Sequence, residues 1–352
     1  MGTSDQVGPG VPAEFDPAAD SRATYDYVSD EVQRPGLVSD LEERIEGDVR
    51  FDEYSRQLYA TDASAYEVLP VGVVFPRSTA DVSSVVEYCA AREIPVLPRG
   101  GGTSLAGQTV NEAVVLDFSR YMDSVLETDP DAARARVQAG TYIGDMNAAF
   151  AEHDLKFAPD PAYGDKSAVA GAIGNNSTGS HSLKYGKTDA YVESCEVVLA
   201  DGTIAEFGEV TLEELDDKAD SAARSAADDA SGETASADGD LEARIYAEVR
   251  RILDEETDTI DDVYPDLKRN VSGYNLDRLV EEAADGSVNL ARLLAGSEGT
   301  LAVITEAEVS LEPVPETKSI ALLAYADLID AMEDVSIILE HDPSALEVLD
   351  DT

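Results

Sequence analysis

The chain has 352 residues, of which 43% are apolar, enough to bury a sizeable core and to form one large domain or two to three smaller ones. Its 73 Asp and Glu against 25 Lys and Arg leave a formal net charge of −48, which argues against nucleic-acid partners and anionic membrane surfaces, since both need a basic face. Acids spread along most of the chain, with only seven of the bases being Lys, read as a surface adapted to molar salt, where self-repulsion is screened within about 3 Å at ~1 M, or else as that of an ordinary acidic cytosolic protein.

Residues 1–35 are polar and contain Pro9, Pro12, Pro17 and Pro35, so they read as an N-terminal extension. The beginning of the chain carries neither a basic run nor an apolar run, and no stretch approaches 18 apolar residues. The sequence therefore predicts a cytoplasmic protein with no integral membrane segment. Leu41 to Glu46 reads as a short helix and Val73–Phe75 as a strand closed by Pro76. Ser78 or Thr79 can cap a helix from Ala80 to about Arg92. Its apolar residues Val82, Val85, Val86, Cys89 and Ala90 recur at i, i+3, i+4, i+7 and i+8. With Ile94–Leu97 as the next strand, this is a strand–helix–strand unit.

Directly after that strand comes Pro98-Arg99-Gly100-Gly101-Gly102-Thr103-Ser104-Leu105-Ala106-Gly107-Gln108. Three successive residues without Cβ let several backbone N–H groups converge on one anion, while Thr103 and Ser104 add hydroxyl donors: a loop for phosphate oxygens. The dinucleotide pattern G-x-G-x-x-G fails because Leu105 holds its third position. The phosphate-loop pattern that Gly186-Lys187-Thr188 would complete fails because His181 stands where its first Gly belongs.

Further strands are predicted at Ala113–Phe118 and Arg134–Gln138, and a helix over Thr141–His153. Pro159-Asp160-Pro161 reads as a rigid turn. Gly171 to Gly179 is a second small-residue cluster, in which Gly174, Asn175, Asn176 and Ser177 leave room for a flat ligand and supply donors. Val192–Ala200 and Thr203–Phe207, joined by Asp201-Gly202, read as a hairpin. Residues 213–242 hold eleven acids against Lys218 and Arg224 and read as a solvated insertion, followed by an amphipathic helix over Leu241–Glu256. Ala302–Leu311 is a strand ended by Pro313 and Pro315, Ile320–Tyr325 is strand-like and Ala326–Glu340 helix-like. Cys89 and Cys195 form no CxxC, so no zinc ribbon or cysteine-ligated Fe–S cluster is encoded.

R-G-G-G-T-S, P-D-P, G-N-N-x-x-G, Y-G, R-N-x-S-G-Y-N-L and G-S-E-G-T-L, in this order, resemble the FAD-linked oxidases of the glycolate oxidase D-subunit and D-lactate dehydrogenase group, over roughly Leu37 to Leu311. The resemblance implies an α+β fold of two subdomains, the FAD-binding PCMH type also called vanillyl-alcohol-oxidase type. It implies an FAD-binding domain over 36–315, with the acidic insertion at 213–240, and the start of an incomplete ferredoxin-like substrate domain over 316–352. In this group Arg99 to Ser104 would wrap the FAD pyrophosphate, and Gly174 to Gly179 would line flavin and pyrophosphate. Pro159, Asp160 and Pro161 would lie near the flavin ring, Ile304 would contact the cofactor through its backbone and Glu298 would brace that end. Some relatives attach flavin covalently through a His in the glycine loop. No His lies between Gly100 and Gln108, so the FAD is expected to be non-covalent.

The implied activity is oxidation of a small D-2-hydroxy acid, with a Fe–S domain or subunit as an electron-acceptor partner. Binding FAD without turnover stays open as an alternative, because the group's base and metal-binding residues lie in the substrate domain. No metal site is expected in this chain. His181, Lys268 and Arg269 are the candidates for catalytic contact with substrate.

Overall fold

The computed structural model describes residues 36–159, 161, 163–229, 240–267 and 270–349. The first unit is built from α1 (Leu37–Glu42), β1 (Asp48–Arg50), α2 (Glu53–Leu58), β2 (Gly72–Phe75), α3 (Thr79–Ala90), β3 (Val96–Arg99) and β4 (Val114–Asp117). Its strands form one sheet in the order β1-β2-β4-β3. Here β4 lies between β2 and β3 and runs parallel to both, while β1 joins antiparallel to β2. The strand–helix–strand unit is therefore present, with a third strand inserted between its two strands.

Ser78 caps α3 by accepting the Asp81 N–H at 3.2 Å. The periodic face of α3 is sealed: Val82, Val85 and Cys89 are fully buried against Leu116, Val74 and Leu41. Each such apolar side chain contributes roughly 1.5–3 kcal/mol by leaving water.

The second unit begins with β5 (Val125–Asp129), β6 (Arg134–Gln138), α4 (Ile143–Phe150), β7 (Leu155–Lys156), α5 (Val169–Gly174) and α6 (Ser182–Tyr185). It continues through β8 (Val192–Val198), β9 (Ile204–Phe207), β10 (Glu209–Thr211), α7 (Leu212–Asp229) and α8 (Asp240–Glu255). It ends with α9 (Thr257–Val263), α10 (Leu276–Ala284), β11 (Ser287–Asn289), α11 (Leu290–Leu293), β12 (Val303–Ser310) and β13 (Glu312–Pro313). An antiparallel sheet in the order β5-β6-β12-β8-β9 forms its backbone. The inward face of that sheet (Ala135, Val137, Cys195, Val197, Ala307, Val309) is closed by α4, α5 and α8. The outward face carries cross-strand ion pairs, among them Arg136 with Glu306 and Glu206.

The two units meet along α3. Ser83 Oγ donates to the Gly202 carbonyl at 2.6 Å in the β8–β9 turn. Val198 and Val303 from the second sheet complete the first unit's core.

Three expectations change. The short helix expected at Leu41–Glu46 lies earlier, at Leu37–Glu42, where Leu37, Val38 and Leu41 are buried. The acidic segment is helical over its described part, as α7. Leu215 of α7 is fully buried with Tyr246 and Val249 of α8, and Asp216 pairs with Arg250 at 3.1 Å. The strand expected at Ile320–Tyr325 does not form. It finds no ladder partner among the described residues, and an apolar run alone cannot hold an unpaired strand. The helix beyond it does form, as α12 (Leu328–Leu339), with Asp327 as its cap, but none of its residues is buried. The 1–35 extension lies outside the described residues. Among the described residues no helix is long and apolar enough to cross a membrane.

Candidate functional site

The glycine loop leaves the end of β3, and its first residue is committed to the protein itself. Arg99 Nη1 donates to the carbonyls of Tyr59 (3.3 Å) and Thr109 (3.0 Å), and Nη2 to that of Thr61 (2.9 Å). Burial pulls the pKa of this guanidinium below its ordinary value, and the nearby Asp117, Tyr59 and Asp62 oppose the shift. Beneath it, the Tyr59 hydroxyl donates to Asp117. Burial first, and then the Asp117 charge, push that phenol far above its usual range. Asp62 accepts the Thr109 hydroxyl at 2.9 Å and the Ser64 N–H at 2.8 Å. Burial works against its ionised form, but the bonds from Ser64 and Thr109 prevail and its pKa is lowered. Segment 59–64 is thus a brace for the loop, and the Ala63 N–H reaches the Gly102 carbonyl at 3.1 Å.

The three glycines serve different needs. A Cβ on Gly101 would lie 1.7 Å from the Lys166 carbonyl oxygen, and one on Gly100 2.5 Å from Ala168 Cβ, so both permit close packing on residues 166–168. Only Gly102 has a positive φ, +64°. The backbone N–H groups of Gly101, Gly102, Thr103 and Ser104 find no acceptor among the described residues.

Facing this loop is the wall made by α5 and the turn before β12. Asn175, Ser177 and Gly171 line it, as do Ser297, Glu298, Gly299 and Ile304. Glu298 holds a left-handed φ of +53°, which is strained for a residue with a Cβ, and its N–H donates to the Gly174 carbonyl at 2.9 Å. A Cβ on Gly171 would meet nothing within 4 Å. This face of α5 is therefore bare toward the cleft without any demand from protein packing.

Between the walls lies a cleft of about 420 Å³, within the range of small-molecule and cofactor sites. Two buried side-chain atoms on its lining have no hydrogen-bond partner among the described residues, Ser104 Oγ and Gln108 Oε1. Unused N–H groups, an unpaired hydroxyl and a bare helix face fit a ligand with a phosphate-rich middle and a flat ring.

Of the residues singled out from sequence, Arg99, Gly100, Gly101, Gly102, Thr103, Ser104, Pro161, Gly171, Gly174, Asn175, Ser177, Glu298 and Ile304 line this one cleft. Pro159 is buried and Gly179 stands apart from the lining. Asn176 is 2% exposed and its Oδ1 accepts the Asp189 N–H at 3.0 Å, so it holds the chain behind the wall. His181 precedes α6, away from the lining, with Nδ1 3.5 Å from Ser180 Oγ. Asp160, Lys268 and Arg269 lie outside the described residues. Gln108, the last residue of the glycine-rich run, and Thr109 just beyond it also line the cleft. The run places Gln108 near the site but gives it no role, and only its through-space neighbours do.

Residues 70–208 match the family model described as FAD binding domain. The chain is 32% identical over 307 residues to D-2-hydroxyglutarate dehydrogenase of Pseudomonas putida, covering 86% of this chain and 29% of that protein. It is 30% identical over 323 residues to glycolate oxidase subunit GlcD of Bacillus subtilis, covering 89% of this chain and 54% of that protein. Among solved structures, alkyldihydroxyacetonephosphate synthase superposes with a TM-score of 0.53 at 19% identity, covering 81% of this chain and 41% of that one, a likeness of fold.

Proposed function

We propose that the protein, whose residues 70–208 match the FAD binding domain model, is an FAD-dependent oxidoreductase of D-2-hydroxy acids such as D-lactate, glycolate or D-2-hydroxyglutarate. The observation that carries the cofactor half is the cleft with its unused loop N–H groups, the orphaned Ser104 hydroxyl and the uncovered Gly171. Gly101 to Ser104 would hold the pyrophosphate through backbone N–H groups, with Arg99 acting behind them as the clamp on segment 59–64. Gly171, Gly174, Asn175 and Ser177 would receive the ring system, and Glu298 and Ile304 would close that end. Bound FAD supplies the hydride acceptor that such an oxidation requires. The chain's share is to fix the cofactor's position and exclude water from the cleft. The substrate half rests on the likeness to the two curated dehydrogenase and oxidase relatives, each longer than this chain.

The test is anaerobic mixing of FAD-loaded protein with a panel of D-2-hydroxy acids. Bleaching of the flavin by one of them supports the reading and names the substrate. Loaded protein that no acid bleaches would favour the second reading, an FAD-binding unit without turnover of its own. That second reading is favoured by one observation, the solvent exposure of Ile320, Leu322, Ile329 and Met332 in the segment after the second unit. Attachment is checked on the same sample: acid precipitation should leave the flavin in the supernatant, because the glycine loop has no His.

A further inference from the structure

Gln108 is held at one end only. Its Nε2 donates to Glu298 Oε1 at 3.1 Å and to Asn175 Oδ1 at 3.3 Å, so it joins the glycine-loop wall to the opposite wall across 190 and 67 residues of sequence. The orientation of the carboxamide follows from its two neighbours, the Glu298 carboxylate oxygen and the Asn175 carbonyl oxygen, which both accept, so the atom facing them is the nitrogen. The oxygen is left pointing in one fixed direction, buried and with no partner among the described residues. Acceptors are seldom abandoned in this way unless a ligand or an ion completes them. A planar amide locked at its nitrogen suits a donor that is itself fixed in a ring plane. A hydroxyl rotor would need no such aim.

On the reading that the cleft holds FAD, we infer that the Gln108 carboxamide oxygen is a cofactor-recognition group that accepts an N–H held in the plane of one of the dinucleotide's ring systems. FAD offers that chemistry at two places, the imide N3–H of the flavin and the 6-amino group of the adenine. Ser104, the other orphan, belongs to the phosphate loop already described.

The experiment measures dissociation constants of wild type and Gln108→Met for three ligands: FAD, its 3-methylflavin analogue, and the analogue with purine in place of adenine. Thermal melts of both apoproteins check that the fold is kept. The expected result is a loss of roughly tenfold for FAD on substitution, about one hydrogen bond. One analogue should bind wild type and variant equally, and that analogue identifies the donor. Equal losses for all three ligands would show Gln108 merely bracing Glu298 and would overturn the inference, as would no loss for any. Wild-type protein that binds none of the three would instead sink the cofactor reading, and this inference with it.

Discussion

Gly101 and Gly171 face the same cleft for opposite reasons, and substitution separates them. At Gly101 a Cβ would overlap the Lys166 carbonyl, a backbone atom that cannot rotate aside. Gly101→Ala should therefore lower stability by about 1–3 kcal/mol through forced repacking, and lose FAD with it. At Gly171 an added side chain meets open space within α5. Gly171→Ala should be neutral or stabilising by about 0.5–1 kcal/mol, the usual helix preference. Gly171→Leu should fold normally yet bind FAD roughly tenfold more weakly or worse, because it fills the cleft. Paired melting and flavin-titration curves decide. A Gly171→Leu protein with wild-type affinity would remove the ring system from this wall.

Tyrosines give the same scale a pH signature. Burial, with Glu242 adding to it, raises the Tyr246 phenol from 10.0 to about 12. Burial, with Glu312 and Tyr185 adding to it, raises Tyr191 likewise to about 12. The folded state thus holds the proton more tightly than the unfolded chain. The associated stability is fully present below pH 10 and lost as pH climbs toward 12. Alkaline unfolding followed by tyrosinate absorbance should show these two ionising together with the loss of structure. Titration of all tyrosines ahead of unfolding would contradict their placement in the core.

At the scale of elements, α7 is the segment whose reading changes most, and it carries a prediction. Its polar face is what composition reports, but Leu215 sits fully buried against α8. Leu215→Ala should cost about 2–5 kcal/mol. FAD content of the folded fraction should stay unchanged, because none of the described side chains of α7 lines the cleft. A melt unaltered by the substitution would return the segment to a solvated insertion.

The same comparison shows what pattern can and cannot carry. Helix α3 and strand β6 were legible because a cap, a 3.6-residue stripe and a clean alternation are local properties. Strand β5, with Leu126 exposed and acids at 127 and 129, offers no such alternation, and it exists because β6 pairs with it. The short β7–β13 and β10–β11 ladders likewise owe their existence to segments brought together from far apart in sequence. Ile320–Tyr325 is the reverse case, an apolar run without a ladder. In the site, the glycine loop and the 171–177 cluster were legible as local composition. The brace of Arg99 on residues 59–61, and Gln108 meeting Glu298, are contacts over 38 to 190 residues and leave no trace in any window.

For the whole molecule the dominant quantity is the charge of −48. Many arginines are already engaged by carboxylates: Arg134, Arg136, Arg251 and Arg278 each pair with at least two. The net negative charge is left to act on itself over the surface. Salt has two opposed effects. It weakens exposed ion pairs, each worth roughly 0–1 kcal/mol, and it screens repulsion among the unpaired acids, whose reach falls from about 10 Å at 0.1 M to about 3 Å at 1 M. With nearly three acids per base, the repulsive pairs outnumber the attractive ones, so screening should win. The melting temperature should rise between roughly 0.1 M and 2 M KCl. Repeating the series in potassium sulfate at matched ionic strength separates screening from salting-out. Equal rises at equal ionic strength mean screening, while a much larger rise in sulfate means that exclusion of the salt from the surface is responsible. A melting temperature that falls with KCl would show that the ion pairs, not the acid excess, govern this surface, and the high-salt reading of the composition would be withdrawn.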